Sequence, residues 1–206
     1  MPIIPVLPSQ PESIHTDRLI LRAFRPTDLP ELHILRTVPE VMKWTRQGRA
    51  DRDEEETRTW MDQHMYKGGT DKRKTYNYVV LQKEYNTTTT DGPAEGKIIG
   101  VLGIVNMSAA DGPEVGYLFH PSSWGKGYAT EALRWFTETW WQLPLPDSSL
   151  VNGNGVEGVA LSAVIDKTNS GSARVLTKAG WEFVGEGVEA DGVAVQNWVI
   201  RPSVRN

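Results

Sequence analysis

Glu114-Val-Gly-Tyr-Leu-Phe-His-Pro-Ser-Ser-Trp-Gly-Lys-Gly-Tyr-Ala-Thr-Glu-Ala-Leu133 is the stretch on which the reading of this chain turns. A β-rich run over 114–120 stops at Pro121, and a turn with two glycines follows. Ala129, Ala132, Leu133, Phe136 and Trp140 then recur at helical spacing over 127–141. Gly125 and Gly127 lack Cβ, so the backbone can turn tightly there and come close to a ligand. The first amides of the helix have no intrahelical partner and carry the positive end of its dipole. Such a strand–turn–helix corner suits a phosphate or pyrophosphate, and Lys126 adds a charge of the right sign. The glycines by themselves also fit an ordinary tight turn. A kinase-type P-loop is excluded, because no Gly-x-x-x-x-Gly-Lys-Ser/Thr occurs. The Rossmann fingerprint is excluded as well: Thr130 stands at the third glycine's place, and the turn follows several strands instead of opening a βαβ unit.

Outward from this corner, 18–24 alternates polar and apolar as a strand, and Thr27-Asp28 offers an N-cap to a helix carried through 38 by Leu29, Leu32 and Leu35. A second helix is expected over 53–66, with Asp53, Glu54, Glu55 and Glu56 in its first turn and Trp60, Met61 and Met65 on one side. Strands are expected at 76–82 and 98–105, joined by a long polar connection over 86–96. Beyond the central helix, 143–155 is a breaker-rich loop and 156–165 a strand. A short helix over 170–179 ends at Gly180, and a strand pair, 181–186 and 193–201, closes the chain. No repeat and no compositional shift divides the sequence. It reads as a Pro-rich N-terminal extension over 1–15 followed by one domain over 16–206.

Composition narrows the function. The net charge is −4, so there is no basic excess for phosphate backbones, and a nucleic-acid partner is not expected. No apolar run is long enough to span a bilayer, and the N-terminus lacks a secretory pattern, so a cytoplasmic protein with no membrane partner is expected. Cysteine is absent, which removes disulfides, thiolate metal sites and a cysteine nucleophile. His15, His33, His64 and His120 lack metal-ligand spacing, and no metal is expected.

Trp124-Gly-Lys-Gly-Tyr-Ala-Thr-Glu-Ala-Leu133 resembles the acetyl-CoA pyrophosphate loop of the GNAT acetyltransferases, in particular the RimJ/RimL-like branch that acetylates ribosomal-protein N-termini. Asn169-Ser-Gly-Ser-Ala-Arg-Val-Leu-Thr-Lys-Ala-Gly-Trp-Glu-Phe183 is similar to that branch's Asn-x-x-Ser helix. Thr16-Asp-Arg-Leu-Ile-Leu-Arg-Ala-Phe-Arg-Pro-Thr-Asp28 is similar to its first strand and helix start. The resemblance implies an α/β (α+β) fold: a mixed, mostly antiparallel sheet of six to seven strands, flanked by helices, with the strands at 114–120 and 159–165 splayed apart. It implies acetyl-CoA as acetyl donor, with the backbone of Trp124, Gly125, Lys126, Gly127, Tyr128, Ala129 and Thr130 on the pyrophosphate. Phe119, Asn169 and Ser172 would face the rest of the cofactor. Two positions depart from the family: Ser122 stands where many members carry Arg or Gln, and Leu176 where many carry the tyrosine that protonates the departing thiolate.

An amine attacking a thioester must lose a proton, place charge on an oxyanion and release sulfur. Without cysteine, direct attack in a ternary complex is expected. Glu114 is the candidate base, Ser172 the candidate donor to sulfur, and a backbone amide over 118–120 the candidate oxyanion donor. Tyr117, Tyr128 and His120 are further candidates for proton transfer. Trp44, Trp60, Met61, Tyr66 and Trp198, with the acidic run at 53–56, are candidates for the acceptor side. The acceptor is either a small-molecule amine or a peptide N-terminus, and the protein a monomer or homodimer. A non-catalytic acyl-CoA sensor remains the alternative.

Overall fold

The computed structural model describes residues 3–8, 12–65, 76–84, 94–146 and 159–202. The elements run β1 (Ile14–His15), β2 (Leu19–Arg22), a 3-10 turn (Pro26–Asp28), α1 (Leu29–Arg36), α2 (Pro39–Met42), α3 (Glu54–His64), β3 (Asn77–Glu84), β4 (Ala94–Asn106) and β5 (Glu114–Phe119). A second 3-10 turn (Pro121–Ser123) then precedes α4 (Tyr128–Trp141), β6 (Leu161–Asp166), α5 (Ser170–Lys178), β7 (Glu182–Val188) and β8 (Ala194–Ile200). The strands form one sheet in the order β1-β2-β3-β4-β5-β6-β8-β7. β1–β2, β2–β3, β3–β4, β6–β8 and β7–β8 pair antiparallel, and β5–β6 pair parallel. The mixed, mostly antiparallel sheet is therefore present, with eight strands among the described residues rather than six to seven. The additional strand is β1, whose two residues are too few to show an alternation.

Two compact units emerge from the chain's contacts: Ser9–Gly103 with Tyr117–Trp135, and Met1–Pro8 with Ile104–Gly116 and Phe136–Asn206. In the first, Ile20, Val79, Leu81 and Val101 of the strands pack with Leu29, Leu32 and Leu35 of α1 and Met61 of α3. Burying apolar area of this kind is the main favourable term in folding. Beside this core Arg36 and Asp51 form a buried ion pair, Nε to Oδ2 at 2.7 Å and Nη2 to Oδ1 at 2.9 Å. Thr57 Oγ1 donates to Oδ2 and Gln47 Nε2 to Oδ1, at 2.7 and 2.8 Å, so the carboxylate is fully surrounded by donors. The guanidinium also lies 4.2 Å from the centroid of the Trp60 ring.

In the second unit β6 pairs with β8 along its whole length, from Leu161↔Ile200 to Asp166↔Val195, and β7 covers the other side of β8. Phe136 and Trp140 stack at 6.5 Å on the inner face of α4, both fully buried. Among the described residues the parallel pairing of β5 with β6 is one register pair, Glu114↔Ser162, as a splayed pair requires. Ser162 secures it, donating its amide to the Pro113 carbonyl and its hydroxyl to the Gly112 carbonyl.

Several boundaries differ from expectation. β4 begins at Ala94 and not at 98, because Glu95 and Ala94 are paired with Lys83 and Glu84 by the backbone ladder, a pairing their polar side chains do not announce. The rest of the expected 86–96 connection, most of the loop at 143–155 and the start of the strand at 156 lie outside the described residues. Asp28 heads α1, but its side chain does not cap it. Its carboxylate instead receives the Arg22 guanidinium at 2.8 Å and the Arg25 amide at 2.7 Å.

Removing the Asp51 carboxylate would strand the Arg36 charge inside the first unit. Asp51→Ala is expected to destabilise the fold by about 3–5 kcal/mol, whereas replacing both partners with apolar residues of similar volume costs much less. Urea unfolding of the two variants checks this; equal losses would contradict it.

Candidate functional site

The chain between β5 and α4 holds the strand–turn–helix corner read from the sequence. β5 ends at Phe119, Pro121 opens a 3-10 turn, and the path into α4 passes through Gly125 (φ 73°) and Gly127 (φ 81°). Both glycines occupy the left-handed region, where a side chain costs roughly 1–2 kcal/mol. A Cβ on Gly125 would meet nothing within 4 Å, so the space over that backbone is open. Residues 124–127 are exposed and 129–130 half-buried. Among the described residues, none of the backbone amides of 125–130 has a hydrogen-bond partner; the first engaged helical amide is that of Glu131, which donates to the Gly127 carbonyl at 3.0 Å. The Trp124 amide, expected in the same series, donates to the Pro121 carbonyl, so the open run starts one residue later.

The turn is anchored at both ends. At its start the Trp124 indole Nε1 donates to the Phe119 carbonyl at 2.7 Å, and the Ser122 amide donates to His120 Nδ1 at 3.3 Å. The same ring nitrogen lies 2.8 Å from Ser122 Oγ. The His120 amide donates to the Ile99 carbonyl, which removes it from the candidate oxyanion donors at 118–120. At the helix end Glu131 receives Thr16 Oγ1 at 2.5 Å, the Arg18 amide at 3.0 Å and Arg18 Nε at 2.7 Å. Burial pushes the Glu131 carboxyl up, but these hydrogen bonds outweigh it and hold the group below its ordinary range. Tyr128 is buried, with the Arg18 guanidinium 4.6 Å from its ring centroid, which marks it as a packing residue. Thr16, Arg18 and Glu131 were quoted in the sequence motifs without a role. Their pairing spans more than a hundred residues, and no local spacing signals it.

The second unit holds the remaining candidates. Glu114 is the first residue of β5 and is buried, 8 % exposed, where an ordinary strand-start glutamate would be solvated. Asn169 caps α5: its Oδ1 accepts the Ser172 amide at 3.0 Å, as its position just before a helix favours. Its Nδ2 donors have no partner among the described residues. Ser172 is half-buried in the first turn of α5, and Leu176 is fully buried.

The acceptor-side candidates divide. Asp53 caps α3 by accepting the Glu56 amide, and Glu56 pairs with Arg49 at 2.6 Å and with the Arg52 amide. These partners, the Arg49 hydrogen bond first, pull the Glu56 carboxyl down to about 2. Glu54 and Glu55 both reach Arg58. The acidic run therefore serves capping and local ion pairs. Met61 is core. Trp60 is half-buried, edge-on to Phe24 at 5.9 Å and stacked on His64 at 4.3 Å. Trp44 lies under Lys43, Trp198 is buried against Phe183, and Tyr66 lies outside the described residues. Among the described residues no group of three His, Asp or Glu is placed to hold a metal ion, and no helix is long and apolar enough to cross a membrane.

A corner of open amides between a splayed strand and a helix defines a class, and comparison gives the family. Residues 18–182 match the acetyltransferase (GNAT) domain, and the chain belongs to that family. Acetyl-CoA is the family's acetyl donor. In fold the chain is similar to a GNAT-family acetyltransferase from Bacillus anthracis (21 % identity, 92 % of this chain and 98 % of that one, TM-score 0.67). It is similar also to RimL, a ribosomal L7/L12 α-N-protein acetyltransferase solved with coenzyme A (16 %, 94 % and 100 %, 0.67). A third likeness is to the microcin C7 self-immunity acetyltransferase MccE, solved with acetyl-CoA and AMP (14 %, 90 % and 93 %, 0.65). No curated protein matches.

Because the folded-state pKa of Glu131 is depressed, its contribution to stability is complete above the unfolded carboxyl value of about 4.3 and is lost as pH falls through the folded value. Glu131→Gln is expected to flatten the acid limb of a stability-against-pH curve below about pH 4.3. A limb of unchanged slope would show that the carboxylate is not held as described.

Proposed function

We propose that this protein transfers the acetyl group of acetyl-CoA to a primary amine, of a small molecule or of a protein N-terminus, by direct attack. The observation that carries the reading is the run of amides over 125–130 with no partner among the described residues, entered through two left-handed glycines and opening into free space at Gly125. A diphosphate is the part of acetyl-CoA that such a corner suits. Lys126 adds an exposed cation to the same turn. The three motif blocks support the RimJ/RimL-like branch, and the fold likeness to RimL agrees with it. The family match spans 18–182 and so touches both compact units, which supports one acetyltransferase domain over 16–206. As part of the same reading the enzyme acts in the cytoplasm, as a monomer or homodimer.

Within this proposal each side chain has one task. The Glu114 carboxylate, at the start of β5, takes the proton the amine must lose, directly or through water. A backbone amide of β5 at 118 or 119 donates to the developing oxyanion, an interaction whose removal typically costs about 3 kcal/mol. The Asn169 amide group faces the pantetheine arm, the Ser172 hydroxyl donates to the departing sulfur, and Phe119 is a further contact for the cofactor. No cysteine is available for an acyl-enzyme. A second reading, an acyl-CoA sensor without turnover, draws on Leu176, a fully buried aliphatic residue where many family members carry a tyrosine.

Isothermal titration is expected to show acetyl-CoA binding and no comparable binding of NAD or ATP; the reverse order would overturn the reading. Thiol release in the presence of an amine and N-terminal peptide panel separates enzyme from sensor. Gly127→Glu is expected to abolish measurable binding by setting bulk and negative charge against the amides, and unchanged affinity would remove the loop from the site. Glu114→Gln is expected to lower turnover by about 10²-fold or more with near-normal acetyl-CoA affinity. Wild-type rates at both neutral and high pH would show that Glu114 is not the base.

A further inference from the structure

We infer that Arg18 is a positioning residue for diphosphate binding, acting by neutralising Glu131 and fixing the loop carbonyl of Lys126; the inference rests on the acetyl-CoA reading above. An anion site made of helix-start amides has a built-in difficulty when a carboxylate sits in the same first turn. Glu131 is that carboxylate: it favours the helix dipole and disfavours any second anion there. Its side chain is only 15 % exposed, so water screens it poorly. Arg18 answers both sides of the problem. Its Nε and Nη2 meet Glu131 Oε2 at 2.7 and 2.6 Å, and its own backbone amide meets Oε1 at 3.0 Å. Its Nη1 donates to the Lys126 carbonyl at 3.0 Å, and its planar face lies over Tyr128.

The second contact matters as much as the first. Lys126 sits between the two left-handed glycines, and a carbonyl turned toward solvent there would place a partial negative charge at the mouth of the amide run. Held by Arg18 Nη1, that carbonyl points to the guanidinium while the amides of 125–130 stay unengaged. The same guanidinium comes within 3.5 Å of where a Gly127 Cβ would stand, so it lines the turn directly. One side chain thereby cancels the competing charge, tethers the loop and braces the first residue of α4. Lysine has neither the fork nor the flat face to make all of these contacts.

The test compares acetyl-CoA with S-acetyl-pantetheine, which carries the thioester arm and no diphosphate, on folded wild-type and variant protein. Wild type is expected to bind acetyl-CoA far more tightly than the truncated thioester. Arg18→Ala is expected to raise the acetyl-CoA dissociation constant by about tenfold or more while changing that of the truncated thioester less than about twofold. Arg18→Lys is expected to fall between. Adding Glu131→Gln to Arg18→Ala is expected to recover part of the loss, because the stranded carboxylate is gone. Equal weakening of both ligands would mean a purely structural role and overturn the inference, as would an Arg18→Ala protein of unchanged affinity. A wild type that binds the two ligands equally would overturn the diphosphate reading itself, and the role of Arg18 with it.

Discussion

A peptide N–H at the start of a helix has no carbonyl a turn behind it to bond, and the corner between β5 and α4 is built around leaving such groups open in a fixed place. Among the described residues the amides of 125–130 are in that condition. Burying them unpaired would be costly, and letting the chain fold back to satisfy them would destroy the corner. Residues 125–127 are exposed to solvent, and the groups around the turn are restrained. Left-handed glycines set the path, the Trp124 indole ties the turn to the end of β5, and Thr16 and Arg18 lock the first helical turn through Glu131.

The carboxylates of the molecule differ in what surrounds them. Asp51, Asp28 and Glu56 are carboxylates wrapped in donors from their own neighbourhood, and they stabilise helix ends and a core. Glu131 is held in the same way but stands beside the open amides, so its neutralisation bears on what can bind there. Glu114 is buried at the start of β5, in register with Ser162 of the parallel neighbour β6. Family membership accounts for the fold and the acetyl donor. The acceptor is a separate matter, since the aromatic and acidic candidates for its side are largely engaged in packing and capping.

Local order was the part most readily legible. The strand–turn–helix corner at 114–133, the helix with its acid-rich first turn at 54–64 and the Asn169 cap before α5 all depend on interactions within a few residues. Spacing and turn chemistry encode such interactions directly. The run at 76–82 was readable as a strand because burial on both faces over 78–81 leaves a continuous apolar stretch, while the polar, less buried end at 83–84 was not. Glycine at 125 and 127 announced a sharp turn through its freedom in φ, and the structure uses that freedom at both.

What the sequence by itself determined, then, is the order of elements, the two glycines that free a helix start, and the absence of any thiol chemistry. Tertiary structure alone decided which distant groups meet. The two-residue strand at 14–15, the early start of β4 and the parallel register of Glu114 with Ser162 arise from backbone pairing, which leaves no mark on side-chain pattern. The pairing of Arg18 with Glu131 is likewise set by how β2 and the start of α4 come together, 113 residues apart in the chain. Periodicity reports only what lies within a turn or two, so a clamp formed across the fold is written in its packing and nowhere in its local spacing.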